Sequence, residues 1–127
     1  MTNKANLHSL GAADAARLIR EGIISSVDLV SACLSRIEET DGEVQAWTFL
    51  DPDHALAQAR DADEWRGEGR RTGPLHGVPV GIKDIIDTAD MPTENGSVLH
   101  AGRTPSRDAT VVSVSYTHLT LPTIYSV

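Results

Sequence analysis

The sequence predicts an α/β fold with an incomplete core, in which helices form the outer layer of something larger. Three observations support this prediction. Segments with helical periodicity alternate with short stretches rich in β-branched residues. The chain has 127 residues and is 40% hydrophobic, which is the size and composition of one small domain. Its helical segments nevertheless carry too little apolar surface to complete an independent sheet domain.

The first predicted helix covers residues 10–21. Ser9 is a suitable N-cap residue, because its hydroxyl can accept a hydrogen bond from a free backbone N–H of the first turn. A narrow apolar stripe of alanines and Ile19 follows, and Gly22 is a typical helix stop. These features predict a short and weakly amphipathic helix.

The second predicted helix has stronger signals. Ser25 stands three residues before Asp28 in the spacing of a capping box, and apolar residues then repeat at helical period. The helix is expected to end near residues 40–42. Cys33, the single cysteine, falls on its apolar face and has no partner in the chain for a disulfide. We interpret Cys33 as a core thiol, the alternative being a reactive one.

A strand and a third helix come next. Residues 44–50 have the β-branched and aromatic content of a strand. Asp51 and Pro52 then place a capping side chain and an N1 proline at the start of a helix that runs to Arg66. The predicted buried face of this helix consists of Ala55, Leu56, Ala59 and Ala62. Residues 67–74 form a loop rich in glycine and arginine.

The segment from Gly73 onward is unusually dense in glycine and proline around a short apolar stretch. Residues 78–82 are strand-like, and Pro79 and Gly81 suit a strand whose backbone approaches another group closely. Lys83 ends this stretch. A lysine there is either extended into solvent or desolvated, and desolvation makes a lysine a usable base. A phosphate-binding loop is excluded, because the glycine spacing is wrong and no Ser or Thr follows the lysine.

Residues 75–84, Leu-His-Gly-Val-Pro-Val-Gly-Ile-Lys-Asp, resemble the lysine motif of the amidase signature family. The strand segment at 46–50, the segments at 87–88 and 92–97, and residues 108–112 recur in that family in the same order. The resemblance covers roughly residues 7–113. It implies a large α/β/α domain with a mixed sheet covered by helices, of which residues 1–113 would be a partial N-terminal portion.

The resemblance also implies a function, which is hydrolysis of a carboxamide through an acyl-enzyme by a Ser-Ser-Lys triad without a cofactor. Lys83 maps onto the triad lysine. The two triad serines belong to a Gly/Ser-rich segment further along the family's chain, and this sequence has no such segment. Four serines here lack the corresponding surroundings: Ser97, Ser106, Ser113 and Ser115. We therefore expect the chain by itself to be inactive.

Other polar residues near the motif are given more modest roles. His76 lies in a Gly/Pro turn, where a hydrogen-bonded structural histidine is the favoured interpretation over a catalytic one. Asp84 and Asp87 could position the lysine or the loop after it, or could cap local turns, and these alternatives stay open. The remaining histidines show no spacing typical of a metal site, so no metal is implied.

The last fourteen residues depart from the family pattern. Residues 114–123 interrupt the expected helical period, and Pro122 stands where an amphipathic pattern should continue. The same residues are obtained by translating GTC TCT TAT ACA CAT CTG ACG CTG CCG ACG, which resembles read-through of a transposon-based sequencing adapter. We expect residues 114–127 to be an artefactual tail, and we exclude them from the fold prediction.

Two other functions remain as alternatives to a plain amidase. One is the glutaminase subunit of a tRNA-dependent amidotransferase, which passes ammonia to a partner protein. The other is a small helical binding module whose Gly/Pro motif is only a turn.

Composition restricts the partners further. The net charge of −7 argues against direct nucleic-acid binding. The sequence has neither a membrane-spanning run nor a signal-peptide h-region, so we expect a cytoplasmic protein with no membrane partner. A small-molecule amide is the expected substrate of the longer parent protein, and the oligomeric state is left open.

Overall fold

The computed structural model describes residues 4–119 and 123–126. In chain order its elements are a 3-10 helix at Lys4–Ser9, α1 at Ala12–Arg20, α2 at Ser26–Val44, β1 at Phe49–Leu50, α3 at Pro52–Gly67, β2 at Val80–Ile82, a second 3-10 helix at Val98–His100, α4 at Thr110–Leu119 and β3 at Thr123–Ser126. Within this part of the chain, no helix combines the length and apolar character needed to span a bilayer.

Helix α1 begins two residues later than predicted, and its predicted cap is wrong. Gly11 occupies the N-cap position and makes no side-chain cap hydrogen bond. The Ser9 hydroxyl instead donates to the carbonyl of Asn6, 2.7 Å away, inside the preceding 3-10 helix. The sequence pattern did not predict that 3-10 helix, which already holds Ser9 in a turn of its own. The predicted stop is confirmed, because Gly22 follows the helix with a left-handed φ of 70°.

Helix α2 starts where the capping box predicted. The Ser25 hydroxyl accepts a hydrogen bond from the Asp28 N–H at 2.9 Å, and the Asp28 carboxylate accepts one from the Ser25 N–H at 3.1 Å. The helix runs past the predicted end to Val44, and Gln45 terminates it in the left-handed conformation. Gly42 therefore lies inside the helix, where a glycine costs about 1 kcal/mol relative to alanine but does not break the hydrogen-bond ladder.

The predicted strand at residues 44–50 is mostly wrong, and the predicted third helix is confirmed. Only Phe49–Leu50 forms a strand, whereas Val44 belongs to α2 and residues 45–48 connect the two elements without strand pairing. Helix α3 then begins at Pro52, and the Asp51 carboxylate accepts a hydrogen bond from the His54 N–H at 3.0 Å. On its predicted buried face Ala55 and Ala59 are fully buried, whereas Leu56 and Ala62 are half-buried.

The three short strands of the described residues form one mixed sheet in the order β1-β3-β2. Strand β3 lies antiparallel to β1 and parallel to β2. The pairing of β2 with β3 has a register shift between Val80 and Gly81. The short β2 therefore pairs with residues 123–126, which belong to the segment that was predicted to be an artefactual tail.

Two hydrophobic clusters pack against α2. The first joins the N-terminal 3-10 helix, α1 and the start of α2 to Val78, and its most buried members are Leu7 and Ile19. The second joins α2 to α3 and centres on Val30, Ala55 and Ala59. Helix α2 is thus the central element of the helical layer. Both clusters are small, in agreement with the predicted incomplete core.

Helix α4 contradicts one expectation about the end of the chain. It begins at Thr110 and continues to Leu119, so residues 114–119 keep the helical conformation that the sequence pattern was expected to lose. No glycine or proline occurs between residues 110 and 119, and β-branched residues lower helix propensity by less than about 1 kcal/mol each. Pro122 lies outside the described residues. The origin of residues 114–127 in reagent DNA stays a prediction.

Candidate active site

Lys83 directly follows β2 and is exposed. The carbonyl of Lys83 accepts a hydrogen bond from the Ile86 N–H at 2.9 Å, so the chain leaves the strand in a tight turn. Lys83 therefore lies at the end of β2, which is an edge strand of the small sheet. Of the two environments that the sequence left open for Lys83, solvent exposure is the one found in this chain.

The turn before β2 is fixed by a close contact between Gly77 and Ser26. Gly77 has a φ of 78°, and a Cβ atom built on it would lie 3.1 Å from the Ser26 Cβ. Any larger residue at Gly77 would therefore be strained in its backbone and crowded by Ser26. Ser26 is completely buried, and its hydroxyl donates to the Gly77 carbonyl at 2.6 Å. The first glycine of the lysine motif is thus a point where turn and helix α2 touch.

His76 has the structural role that the sequence favoured. Its side chain is 7% exposed, and Nε2 donates to the carbonyl of Ala62 in α3 at 2.7 Å. Because Nε2 serves as a donor to a main-chain carbonyl, it is not available as a proton acceptor in this arrangement. The histidine connects the lysine motif to α3, while the adjacent glycine connects the same turn to α2.

Asp84 organises the loop that follows the lysine. Its side chain is 7% exposed, and its two carboxylate oxygens accept hydrogen bonds from the N–H groups of Glu94 and Gly96 at 2.9 and 3.1 Å. Its carbonyl accepts a third bond, from the Asn95 N–H at 3.0 Å. Asn95 and Gly96 both have left-handed φ angles, of 56° and 62°. Three successive N–H groups of this turn therefore bind Asp84, two through its carboxylate and one through its carbonyl.

Asp87 stabilises the same region through an ion pair. Arg103 contacts both of its carboxylate oxygens, at 2.8 and 2.9 Å. The hydrogen bond from Arg103 lowers the pKa of Asp87 below its usual range, with the attraction of the guanidinium charge as a smaller cause and desolvation acting in the opposite direction. The Asp87 carbonyl also accepts a bond from the Ala109 N–H at 2.8 Å, just before α4. Of the roles left open for Asp84 and Asp87, the structure shows that of a loop organiser for both.

Three of the four serines considered in the sequence make local hydrogen bonds. The Ser97 hydroxyl accepts a bond from the Leu99 N–H at 3.3 Å. Ser113 and Ser115 donate to carbonyls of their own helix, those of Thr110 and Val111. Such contacts are typical of serines in caps and helices. They agree with the interpretation that these residues are not the nucleophile.

Cys33 borders a cavity next to β2. The cavity has a volume of about 250 Å³, and Trp47 and Val80 also line it. Cys33 is half-buried at the edge of the first hydrophobic cluster, and burial raises the pKa of its thiol. A thiol with a raised pKa is a poor nucleophile, which favours the packing role. Among the described residues, no group of three or more histidine, cysteine and carboxylate side chains could hold a metal ion.

Two residues that hold the motif in place were missed in the sequence. Ser26 was overlooked because the neighbouring Ser25 already had a predicted role as the N-cap of α2. Asp63 lies on α3, and its carboxylate accepts hydrogen bonds from the N–H groups of Ser26 and Val27 at 2.8 and 3.1 Å. The sequence gives no local signal for this second cap, because the partners are 37 and 36 residues apart.

Comparison with known proteins defines the class: the chain belongs to the Amidase family, whose sequence model matches residues 28–115. One curated relative, a glutamyl-tRNA(Gln) amidotransferase subunit from Chloroflexus aurantiacus, is 46% identical over 106 residues. That alignment covers 84% of this chain and 22% of the relative. The corresponding protein of Streptomyces coelicolor is 43% identical over 107 residues, with the same shares covered. The chain thus spans less than a quarter of the length of these relatives.

Solved structures agree with the family and the fold. The peptide amidase from Stenotrophomonas maltophilia superposes with a TM-score of 0.87 at 32% identity, covering 96% of this chain and 25% of that protein. A fatty acid amide hydrolase gives a TM-score of 0.88 at 24% identity over 99% of this chain and 22% of that protein, a likeness that concerns the fold alone. The predicted resemblance to the amidase signature family and the predicted partial α/β fold are confirmed.

Proposed function

We propose that residues 1–113 are the N-terminal portion of an amide hydrolase in which Lys83 is the catalytic base. The observation that carries the proposal is the placement of Lys83 at the end of β2, in the lysine motif of a chain that belongs to the Amidase family. The turn before β2 is fixed by a buried hydrogen bond and the turn after it by a part-buried one. The lysine is therefore held at a defined place while its side chain stays accessible to the rest of the domain.

The proposed chemistry follows from the family's Ser-Ser-Lys triad. In the longer protein, where the rest of the domain would desolvate it, Lys83 as a neutral amine takes a proton through a bridging serine from the nucleophilic serine, whose oxygen attacks the amide carbonyl. The carbon–nitrogen bond breaks, the leaving amine receives a proton, and an acyl-enzyme remains. Water then attacks the acyl-enzyme and releases the carboxylic acid. Both serines lie in the part of the family's chain beyond the matched region, and no cofactor takes part.

The proposed domain organisation has its own test. Residues 1–113 would continue into a longer domain, and residues 114–127 would come from adapter DNA. Sequencing the source gene past codon 113 should reveal an open reading frame with a Gly-Gly-Ser-Ser-Gly-Gly type segment. A genomic codon 114 followed by the present tail and a native stop would contradict this organisation.

Substitution of Lys83 in that longer protein tests the assignment of the base. Lys83→Ala should remove most of kcat and leave the melting temperature nearly unchanged, because the role proposed for this amine is proton transfer and not structural support. Lys83→Arg should be almost as damaging, because a guanidinium stays protonated and cannot accept a proton near neutral pH. Arg20→Ala, which removes an exposed cation of α1, is the matched control and should leave kcat unchanged. An arginine variant at position 83 that retains most of its activity would exclude Lys83 as the base.

A second candidate function is favoured by the identity of the curated relatives. The relatives from Chloroflexus and Streptomyces are amidotransferase subunits with 46% and 43% identity, above the 32% of the peptide amidase. Under this candidate the longer protein would hydrolyse glutamine and pass ammonia to a partner protein. Assays of the purified longer protein with glutamine and with simple carboxamides separate the two. Activity on glutamine alone, increased by a co-purified partner, favours the second candidate.

Two further points of the proposal rest on sequence observations. The substrate is a small-molecule amide, and the cytoplasm is the expected compartment. Family membership argues against the remaining alternative, a binding module whose Gly/Pro motif is only a turn.

A further inference from the structure

A group of buried and part-buried polar contacts connects the lysine motif to both α2 and α3. It comprises Ser26, Asp63, His76 and Gly77, and we refer to it as the junction. Ser26 bonds Gly77 across 51 residues of sequence, and Asp63 bonds the Ser26 N–H across 37. His76 bonds Ala62, the residue before Asp63. The helices and the turn before β2 are thus joined at one place.

The junction is not needed to begin α2. The capping box of Ser25 and Asp28 already satisfies the helix start. The additional hydrogen bonds satisfy two more N–H groups of the first turn and connect that turn to α3 and to Gly77. Because Ser26 is fully buried and Gly77 has no room for a Cβ, the turn cannot slide along α2 without breaking these contacts.

The position of the turn determines the position of Lys83. Val78 is 7% exposed and packs in the first hydrophobic cluster, and β2 begins two residues later. Lys83 directly follows β2, so a shift of the turn moves the strand and the lysine with it. A displacement of about 1 Å in a catalytic group is enough to lower a rate about a hundredfold.

We infer that Ser26 and His76 are positioning residues, which fix β2 on the helical layer so that Lys83 is held where the reaction needs it. The inference rests on the proposed function only in its catalytic consequence. The contacts between the junction and the turn before β2 are observed in the structure and do not depend on that function.

The test uses four variants of the longer protein: Ser26→Ala, His76→Ala, His76→Gln and, as control, Ser31→Ala on the exposed side of α2. Ser26→Ala and His76→Ala should lower kcat about tenfold or more, with KM little changed. His76→Gln should restore most of kcat, because the glutamine amide can donate to the Ala62 carbonyl. It should also leave the pH dependence of kcat/KM unaltered, whereas loss of a titrating catalytic histidine would remove one limb of the profile.

Amide hydrogen exchange supplies a readout that does not depend on activity. Residues 78–83 should exchange about tenfold faster in Ser26→Ala and His76→Ala than in the parent and in Ser31→Ala. Unchanged exchange there would overturn the inference whatever the activities are. If the parent protein hydrolyses no amide, faster exchange in these two variants would support the positioning of β2 by Ser26 and His76 and contradict the proposed function. If Ser26→Ala does not fold, the two His76 variants decide, and equal activity of His76→Ala and the parent overturns the inference.

Discussion

At the scale of single residues, the pair of Asp87 and Arg103 illustrates how the loop after the lysine depends on pH. Both partners are exposed by more than a third, so solvent screens their attraction and the stabilisation is modest. The pKa of Asp87 is lowered in the folded state, chiefly by its hydrogen bond from Arg103. This carboxylate therefore stabilises the folded state fully at pH values above its unfolded pKa of about 3.9. The stabilisation is lost as the pH falls through the lower pKa of the folded state.

We predict that Asp87→Asn lowers the melting temperature of the longer protein at neutral pH, and that this difference shrinks as the pH falls from about 5 to 2. In that range the parent loses the charge that the variant never had. Melting curves at several pH values measure the effect. Asp14→Asn, which removes an exposed carboxylate 3.5 Å from Arg17, is the control and should have a smaller effect. A difference that is equally large at the lowest pH would contradict the prediction.

At the scale of elements, α2 holds the helical layer together. It packs on both hydrophobic clusters. N–H groups of its first turn donate hydrogen bonds to the Ser25 hydroxyl of its own capping box and to the Asp63 carboxylate on α3. The capping box is a local feature that any helix of this sequence could form. The bonds to Asp63 exist only when α3 lies against α2. They therefore stabilise the packing of the two helices as well as the start of one.

We predict that Asp63→Ala destabilises the longer protein more than Ser25→Ala does. Loss of an N-cap serine costs about 1 kcal/mol of unfolding free energy. Loss of Asp63 leaves two N–H groups without their acceptor, and each such part-buried donor costs about 1 kcal/mol or more. Thermal melts of both variants measure the order. Asp61→Ala, on the exposed side of α3, should melt like the parent. A Ser25→Ala variant that melts below Asp63→Ala would contradict the prediction.

At the scale of the whole molecule, much apolar surface stays uncovered. Val98 and Leu99 in the second 3-10 helix are 91% and 89% exposed, and Ile85 beside the lysine turn is 65% exposed. Side chains of this kind are normally buried in a complete domain. Their exposure fits a chain that spans 22% of the length of its curated relatives.

We predict that the chain of 127 residues is inactive and poorly folded in isolation. A base without a nucleophile supplies only a small part of catalysis. Two small clusters must also offset roughly 1–2 kcal/mol of backbone entropy for each ordered residue. Amidase assays and near-ultraviolet circular dichroism during heating measure the two properties. Amide turnover that Lys83→Ala abolishes would contradict the predicted inactivity. A cooperative melt with sharp near-ultraviolet bands would contradict the predicted poor folding.

The sequence by itself determined the features that depend on neighbouring residues. The capping box of Ser25, the cap at Asp51 and the motif around Lys83 were readable because each involves a few residues close together in the chain. The family followed from the same motif.

Only the tertiary structure decided the features that depend on which surfaces meet. The bonds of Ser26 to Gly77 and of Asp63 to α2 join residues far apart in sequence, and no local pattern marks them. The continuation of α2 to Val44 and the short β1 were likewise missed. Helix and strand propensities differ by only about 1 kcal/mol per residue, so packing against neighbouring elements outweighs them at such boundaries.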